Sequence, residues 1–210
     1  MVYFFDFDGT LVDSMPCLKK AQINYLRQYD IELTDDIWAY VIAIGYYNTA
    51  KYYVEHFNLD KTPEEVVDEL FVALVSEYAN NIGFKPNAKE YVKKLKNEGH
   101  KVYIVSASPL IFINPCLEHH DMAKWFDGVI STDEFAPYSK CDVEFFGLVA
   151  NKVGVAMKDV VYVEDSLTPI KTASKTDMAI YAVKDVQPAN QFEEIKTLAD
   201  KTIYDYKELL

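Results

Sequence analysis

The chain has 210 residues, enough for one complete hydrophobic core and a smaller inserted domain. Half of the residues are hydrophobic and 26% are charged, which is typical of a globular protein. The formal net charge of −12 argues against binding nucleic acid or an anionic membrane through the overall electrostatic field.

The three cysteines, Cys17, Cys116 and Cys141, lie far apart and form no CxxC pair. This spacing predicts neither a disulfide framework nor a zinc site, and reduced thiols suit the cytoplasm. The N-terminal residues lack the basic stretch of a signal peptide, and no apolar run approaches the length that spans a bilayer. We therefore expect a cytoplasmic protein without membrane contact, either a monomer or a weak homodimer.

The first predicted element is a strand over residues 2–7. Its sequence, VYFFDF, is a short apolar and aromatic run that ends at Asp8 and Gly9. Such a run followed by turn residues indicates a buried strand with a loop at its carboxyl end.

Residues 14–84 form a block with helical periodicity. Leu18, Ala21 and Tyr25 are spaced by three and four residues, which places them on one helix face. The run 62–65, TPEE, has the pattern of a capping box with proline in the first helical position. Because the block contains no strong strand signal, we predict a helical insert.

Beyond Pro86, predicted strands alternate with predicted helices. The predicted helices cover about 87–96, 109–119, 142–152, 167–175 and 189–198, and the predicted strands about 101–108, 126–132, 160–165 and 178–183. This alternation predicts an α/β fold with a parallel sheet covered on both faces.

Polar residues stand where the predicted strands end. Asp6 and Asp8 end the first strand, Ser106 ends the second, and Glu164 and Asp165 follow VVYV. In parallel α/β sheets, ligands bind at the carboxyl ends of the strands. Four clustered acids require a divalent cation, and hard oxygen ligands favour magnesium over zinc.

Ser106 and Lys140 are weaker signals on their own. The Ser106 hydroxyl could bind a phosphate oxygen with help from backbone N–H groups. Ser108 and Pro109 resemble the N-cap and first residue of a helix, and local composition does not separate Lys140 from Lys124 or Lys152. Together these groups suit phosphoryl transfer through an aspartate nucleophile, with a second carboxyl as acid and base.

Four segments resemble the motifs of the haloacid dehalogenase superfamily. DFDGTLVDS (6–14) resembles the first motif, VYIVSAS (102–108) the second and VVYVEDS (160–166) the fourth, while Lys140 falls where the third-motif lysine is expected. The resemblance implies a Rossmann-like catalytic core over 1–13 and 85–210. It also implies a helical cap over 14–84, of the phosphoglycolate-phosphatase-like and β-phosphoglucomutase-like type.

The resemblance also implies residue roles at a magnesium site. Asp6 would be the nucleophile and a metal ligand, and Asp8 the general acid and base with its backbone carbonyl on the metal. Asp165, with Glu164, would complete the metal site.

Ser106, Ala107 and Lys140 would hold the transferring phosphate, and Lys140 would also steady the nucleophile. Two positions depart from the usual pattern: Cys141 follows the lysine in place of proline, and Pro169 replaces a common glycine. Both departures concern loop geometry and leave the chemical groups in place.

The resulting prediction is a magnesium-dependent phosphatase that hydrolyses a small phosphorylated metabolite through an aspartyl-phosphate intermediate. One alternative is a phosphosugar mutase of the same fold, although such mutases usually carry a histidine just after the first motif and the first histidine here is His56. Another is a non-catalytic binding or regulatory member, although no motif carboxylate is lost. Tyr46, Tyr47 and Asn48, which interrupt the helical block, are candidate specificity residues.

Overall fold

The computed structural model describes all 210 residues, with the exception of the Ala43 side chain. Its strands are β1 (Val2–Phe5), β2 (Lys101–Ser106), β3 (Gly128–Ser131), β4 (Val160–Glu164), β5 (Ala179–Val183) and β6 (Lys201–Ile203). Its α-helices are α1 (Met15–Arg27), α2 (Asp35–Ile44), α3 (Tyr46–Phe57), α4 (Pro63–Asn80), α5 (Ala88–Asn97), α6 (Leu110–His119), α7 (Val143–Val153), α8 (Leu167–Ala173) and α9 (Ala189–Leu198). Short 3₁₀ helices occupy Ala123–Trp125, Thr132–Phe135, Met157–Asp159 and Tyr206–Leu209.

The six strands form one sheet in the order β3-β2-β1-β4-β5-β6. Every neighbouring pair is parallel. The chain builds outward from β1 to β3 and then returns to the other side of β1 to form β4. The order therefore reverses between β1 and β4, and such switch points are where open α/β sheets bind ligands. The predicted fold class, an α/β parallel sheet with an inserted helical segment, is confirmed.

The interior of the sheet is apolar because its central strands are covered on both faces. Phe4 on β1, Phe146 on α7, Tyr162 on β4 and Ile180 on β5 belong to one buried cluster. Central parallel strands are expected to be nearly continuous hydrophobic runs, as VYFF and VVYV are. This packing fixes the strand ends that carry the polar residues.

Several strands are shorter than predicted: β2 ends at Ser106 instead of residue 108, and β3 spans Gly128–Ser131 instead of 126–132. Strand β1 ends at Phe5 instead of residue 7, because the chain turns there: the backbone N–H groups of Leu11 and Val12 both donate to the carbonyl of Phe7. Strand β6 has no counterpart among the strands predicted from the sequence. It has three residues and its first, Lys201, is exposed, so it is too short to produce a recognisable periodicity.

The chain divides into two compact units. Met1–Ser14 and Ile82–Leu210 form one, here called the core unit, and Met15–Asn81 form the other, here called the helical unit. The catalytic and cap roles assigned to 1–13 with 85–210 and to 14–84 stay predictions.

The helical unit has its own small core, which includes Tyr25, Leu26, Tyr53 and Leu70. The predicted capping box is present at the start of α4: the Thr62 side chain accepts from the N–H of Glu65, and the Glu65 carboxylate accepts from the N–H of Thr62. Gly45, with φ of +78°, separates α2 from α3. Glycine adopts this backbone conformation without the strain that a side chain would add.

Within the part of the chain that the structure describes, no helix combines the length and apolar character needed to cross a membrane.

Candidate active site

A tight loop follows β1 and positions Asp6, Asp8 and Thr10. Asp6 still pairs with the sheet, since its backbone N–H donates to the carbonyl of Val163 at 2.9 Å. Gly9 adopts φ of +77°, and a Cβ at this position would lie only 2.8 Å from a carboxylate oxygen of Asp165. The glycine of the DxDGT segment is therefore required both by the backbone turn and by the close approach of the Asp165 carboxylate, which follows β4.

Three carboxylates meet at the switch point of the sheet. Asp6 follows β1, Glu164 ends β4 and Asp165 follows it; β1 and β4 are paired neighbours, so their carboxyl ends coincide. All three side chains are buried, and one oxygen from each lies within 4.8 Å of the others. Burial and then repulsion from Glu164 raise the pKa of Asp6 to about 7, against the opposing attraction of Lys140.

Lys140 is the buried cation of this cluster. Its Nζ donates to Asp6 Oδ1 at 2.5 Å and to Glu164 Oε2 at 2.8 Å. Burial opposes its charged form, but attraction to Asp6 and Glu164 prevails and holds the pKa of Lys140 above its usual value. Lys140 thus contacts acidic residues at the carboxyl ends of two neighbouring strands, β1 and β4.

The loop that carries Lys140 is fixed by its own polar groups. The Asp142 carboxylate accepts from the N–H and the hydroxyl of Ser139 at 2.9 and 3.0 Å, and the Ser139 hydroxyl accepts from the N–H of Cys141 at 3.2 Å. Cys141 therefore contributes a backbone donor that a proline at this position would lack. This turn presents Lys140 to the cluster without the proline.

Glu164 is held by four hydrogen bonds. Its Oε2 accepts from Lys140 and from the hydroxyl of Tyr162, the latter at 2.5 Å. Its Oε1 accepts from the backbone N–H groups of Asp165 and Ser166 at 3.1 and 3.0 Å. Buried carboxylate oxygens need hydrogen-bond donors, and these four donors also fix the orientation of Glu164.

Asp165 is anchored from two directions. The Thr10 hydroxyl donates to its Oδ1 at 2.9 Å, and the Gln187 side chain donates to its backbone carbonyl at 2.5 Å. Burial, followed by repulsion from Glu164 and Asp6, raises the pKa of Asp165 well above its usual value, while the Thr10 bond opposes the shift. Its carboxylate is thus costly to ionise in the absence of a nearby cation.

The end of β2 brings a serine pair beside Asp8. Ser106 is buried, and its hydroxyl accepts from the N–H of Ser108 at 3.1 Å. The Ser108 hydroxyl in turn donates to Asp8 Oδ2. The expectation that Ser108 caps a helix is wrong, since Pro109 occupies the N-cap position of α6. Ala107, predicted as a phosphate-binding residue, is exposed between the two serines.

The candidate specificity residues lie at the start of α3 in the helical unit. The Tyr46 ring packs edge-on against Phe71 at 5.2 Å between centroids. The Tyr47 hydroxyl donates to Glu64 at 3.1 Å, and the Asn48 side chain donates to the carbonyl of Ile44 at 2.9 Å. Tyr47 and Asn48 are exposed, and all three stay predictions as specificity residues.

The carboxylate cluster fits a magnesium ion. Its donors are hard oxygens, and burial raises the pKa of both Asp6 and Asp165, so their ionised forms need nearby positive charge. A divalent cation would favour the ionised form of both groups.

Sequence reasoning missed four supporting side chains: Thr10, Ser108, Tyr162 and Gln187. A signal for Tyr162 existed, because residues two apart on a strand share a face and Tyr162 precedes Glu164 by two. No comparable signal marks Gln187, which reaches Asp165 from a loop after another strand.

Buried carboxylates and a lysine at the switch point of a parallel α/β sheet form a candidate active site. Residues 1–175 match the family model of the haloacid dehalogenase-like hydrolases. The chain belongs to this family of hydrolases, as the motifs predicted.

Two similar proteins and one solved structure illustrate the relationship. The chain is 26% identical to hexitol phosphatase B of Escherichia coli over 98% of this chain and 92% of that protein. It is 27% identical to the chloroplastic protein SUPPRESSOR OF QUENCHING 1 of Arabidopsis thaliana over 86% of this chain, but spans only 17% of that longer protein. Among solved structures, CbbY of Rhodobacter sphaeroides, in complex with phosphate, has the same fold with a TM-score of 0.81 at 15% identity, covering 99% of this chain and 95% of that one.

Proposed function

We propose that the protein is a magnesium-dependent phosphatase that hydrolyses a small phosphomonoester through an aspartyl-phosphate intermediate on Asp6. The observation that carries this proposal is the buried contact of Lys140 with both Asp6 and Glu164 at the switch point of the sheet. A carboxylate beside a fixed cation matches the need of phosphoryl transfer for an oriented nucleophile and positive charge around the phosphoryl oxygens.

In the first half of the proposed reaction, a carboxylate oxygen of Asp6 attacks phosphorus and the ester P–O bond breaks. The leaving alkoxide takes a proton from Asp8, so an alcohol departs and the phosphoryl group stays on Asp6. The Ser108 hydroxyl, which donates to Asp8, supports the orientation of the Asp8 carboxyl.

In the second half, a water molecule attacks the phosphorus of the aspartyl phosphate, and the Asp8 carboxylate accepts its proton. The acyl-phosphate bond breaks, inorganic phosphate leaves, and Asp6 and Asp8 return to their starting states. The net reaction converts an ester and water into an alcohol and phosphate.

Asp6, Asp165, Glu164 and the backbone carbonyl of Asp8 are the proposed magnesium ligands. Bound magnesium would supply positive charge that neutralises the phosphoryl oxygens. Ser106, the N–H of Ala107 and Lys140 are the proposed phosphate-binding groups. Lys140 has the added role of keeping Asp6 oriented, which its 2.5 Å contact supports.

For the substrate, we propose a small sugar or polyol phosphate. One relative that the chain matches over nearly its whole length is a hexitol phosphatase, and a chain with net charge −12 and a single arginine offers few groups for a second anionic substituent. Tyr46, Tyr47 and Asn48 remain the proposed specificity residues. Replacing them should change the relative KM values of different polyol phosphates more than it changes kcat.

The test is release of inorganic phosphate from a panel of sugar, polyol and carboxylic-acid phosphomonoesters, with magnesium or with a chelator. The proposal expects magnesium-dependent release that the Asp6→Asn variant abolishes. Isomerisation of a sugar phosphate that depends on a sugar bisphosphate, with little phosphate release, would favour the mutase alternative. Folded, magnesium-bound protein that turns over no ester would refute the phosphatase.

A further inference from the structure

Tyr162 is a buried tyrosine in the middle of β4. Its ring packs against Phe146 with 5.0 Å between centroids, inside the apolar cluster that covers the sheet. A phenol hydroxyl in such surroundings is unfavourable unless it finds a hydrogen-bond partner. The identity of that partner therefore indicates what the hydroxyl contributes.

The partner is Glu164. Residues two apart on a strand point to the same face, and the Tyr162 hydroxyl donates to Glu164 Oε2 at 2.5 Å. A tyrosine hydroxyl carries its proton near neutral pH and an ionised carboxylate can only accept, so Tyr162 is the donor in this bond.

The same carboxylate oxygen accepts from Lys140 at 2.8 Å, and Lys140 also donates to Asp6 at 2.5 Å. Tyr162, Glu164, Lys140 and Asp6 therefore form one continuous chain of hydrogen bonds. The other oxygen of Glu164 is fixed by two backbone N–H groups, which leaves Tyr162 as the side chain that shares Oε2 with the lysine.

Lys140 donates hydrogen bonds to two carboxylates, those of Asp6 and Glu164. When a buried carboxylate loses one hydrogen-bond donor, its charge is less well stabilised. It then attracts its remaining donors more strongly. Without the phenol, Glu164 would attract the ammonium more strongly and weaken its contact with Asp6. The ammonium would then be less available to a phosphate group bound at Asp6.

We propose that Tyr162 is a positioning residue, whose hydroxyl orients the Glu164 carboxylate so that Lys140 remains shared with Asp6. This inference rests on the proposed phosphatase function. Tyr162 acts through Glu164 and Lys140, and it neither contacts the substrate nor binds the metal.

The test begins with Tyr162→Phe, which removes one oxygen and keeps the packed ring. We expect kcat to fall about tenfold, the size expected for one hydrogen bond to a charged group. We also expect competitive inhibition by inorganic phosphate to weaken about fivefold or more. Thermal melts check that the variant is folded.

Tyr53→Phe is the matched control. Tyr53 is also buried, and its hydroxyl donates to Gln22 at 2.9 Å in the helical unit. This variant loses the same atom from a comparable environment, so it measures the general effect of removing a buried hydroxyl. We expect its kcat and phosphate inhibition to match those of the wild type.

A double-mutant cycle separates positioning from packing. If Tyr162 acts through Glu164, Tyr162→Phe should have little further effect on kcat in the Glu164→Gln background. Additive losses would overturn the inference, as would an active wild type whose Tyr162→Phe variant keeps normal kcat and phosphate inhibition. A wild-type protein that hydrolyses no ester would instead refute the proposed function, and with it the reaction that Tyr162 is proposed to serve.

Discussion

The carboxyl edge of the core sheet and the helical unit both contain lysine–carboxylate pairs of similar length. Lys140 lies 2.5 Å from Asp6, while in the helical unit Lys61 lies 2.6 Å from Glu69. The environments differ: the side chains of Lys140 and Asp6 are 9% and 7% exposed, and those of Lys61 and Glu69 are 26% and 44% exposed. Distance alone therefore does not distinguish an active-site pair from a surface pair.

The two regions shift carboxylate pKa values in opposite directions. The hydrogen bond from Lys61 lowers the pKa of Glu69, and the hydrogen bond from Lys19 lowers that of Asp35. At the sheet edge, burial outweighs the lysine and raises the pKa of Asp6 to about 7. Burial together with a surplus of acids marks a site under electrostatic strain, and such sites are where binding and catalysis concentrate.

The largest effect expected from this comparison is that of Lys140→Met. Removing a buried cation leaves Asp6 and Glu164 without their shared partner, so the unfolding free energy measured with chelator should fall by about 3–5 kcal/mol. Phosphatase activity should fall by at least about a hundredfold, because positive charge at the phosphate is lost. Denaturant unfolding and phosphate release measure the two quantities.

Lys61→Met is the control for that change. It removes a lysine whose ion pair has a similar length but is more exposed, and exposed ion pairs contribute little to stability. We expect neither stability nor turnover to change measurably. Equal losses in both variants would show that burial does not set the difference between the two regions.

A smaller effect concerns pH. Asp6 has a pKa of about 7 in the folded chain against an ordinary value of 3.8, so the folded state holds a proton that the unfolded state has released. The stability that this proton confers is complete at low pH and is lost as pH rises from about 4 to about 7. The raised pKa of Asp165 acts in the same direction.

The melting temperature of chelated protein should therefore fall between about pH 5 and about pH 7.5, and magnesium should reduce that fall because it favours the ionised carboxylates. The carboxylates with lowered pKa values in the helical unit titrate below this window. The Asp6→Asn variant should show a weaker pH dependence. A melting temperature that rises with pH in chelator, or that falls equally with magnesium, would contradict the assignment of the shift to this cluster.

The sequence was sufficient to predict the sheet and its central acids, because both depend on local patterns. Apolar strands ending in Asp6 and Glu164 are visible in the chain, and the strand-end rule brings them to one edge. The supporting groups depend on pairings that no local pattern encodes. Tyr206, for example, donates to the carbonyl of Thr10 across 196 positions, and Gln187 reaches Asp165 from the loop after β5.

A prediction from local sequence was also wrong where one side chain could either cap a helix or make a tertiary hydrogen bond. Ser108 before Pro109 has the composition of a helix start, yet its hydroxyl donates to Asp8 because the neighbouring strands bring the two together. Thr62 before Pro63 has the same local pattern and does cap its helix. Only tertiary structure separates the two cases.

The smallest effects are expected when the hydroxyl of Ser108 or that of Thr62 is removed. Ser108→Ala removes a donor to the proposed acid and base, so we expect turnover to fall about threefold to tenfold with little change in melting temperature. Thr62→Ala removes a capping bond from an exposed helix start, so we expect a loss of about 1 kcal/mol in stability and unchanged turnover. Initial rates and denaturant unfolding of both variants provide the measurements.

The two variants control for each other, since each removes a serine or threonine hydroxyl next to a proline. If Ser108→Ala lowers stability and leaves turnover intact, its hydroxyl is a structural cap in solution and the contact with Asp8 has no part in the reaction. If Thr62→Ala lowers turnover without loss of stability, the start of α4 would have a role in the reaction beyond helix capping. The expected result is a loss of turnover in Ser108→Ala and a loss of stability in Thr62→Ala. It would mean that a hydroxyl residue before proline contributes to folding in the helical unit and to the reaction in the core unit.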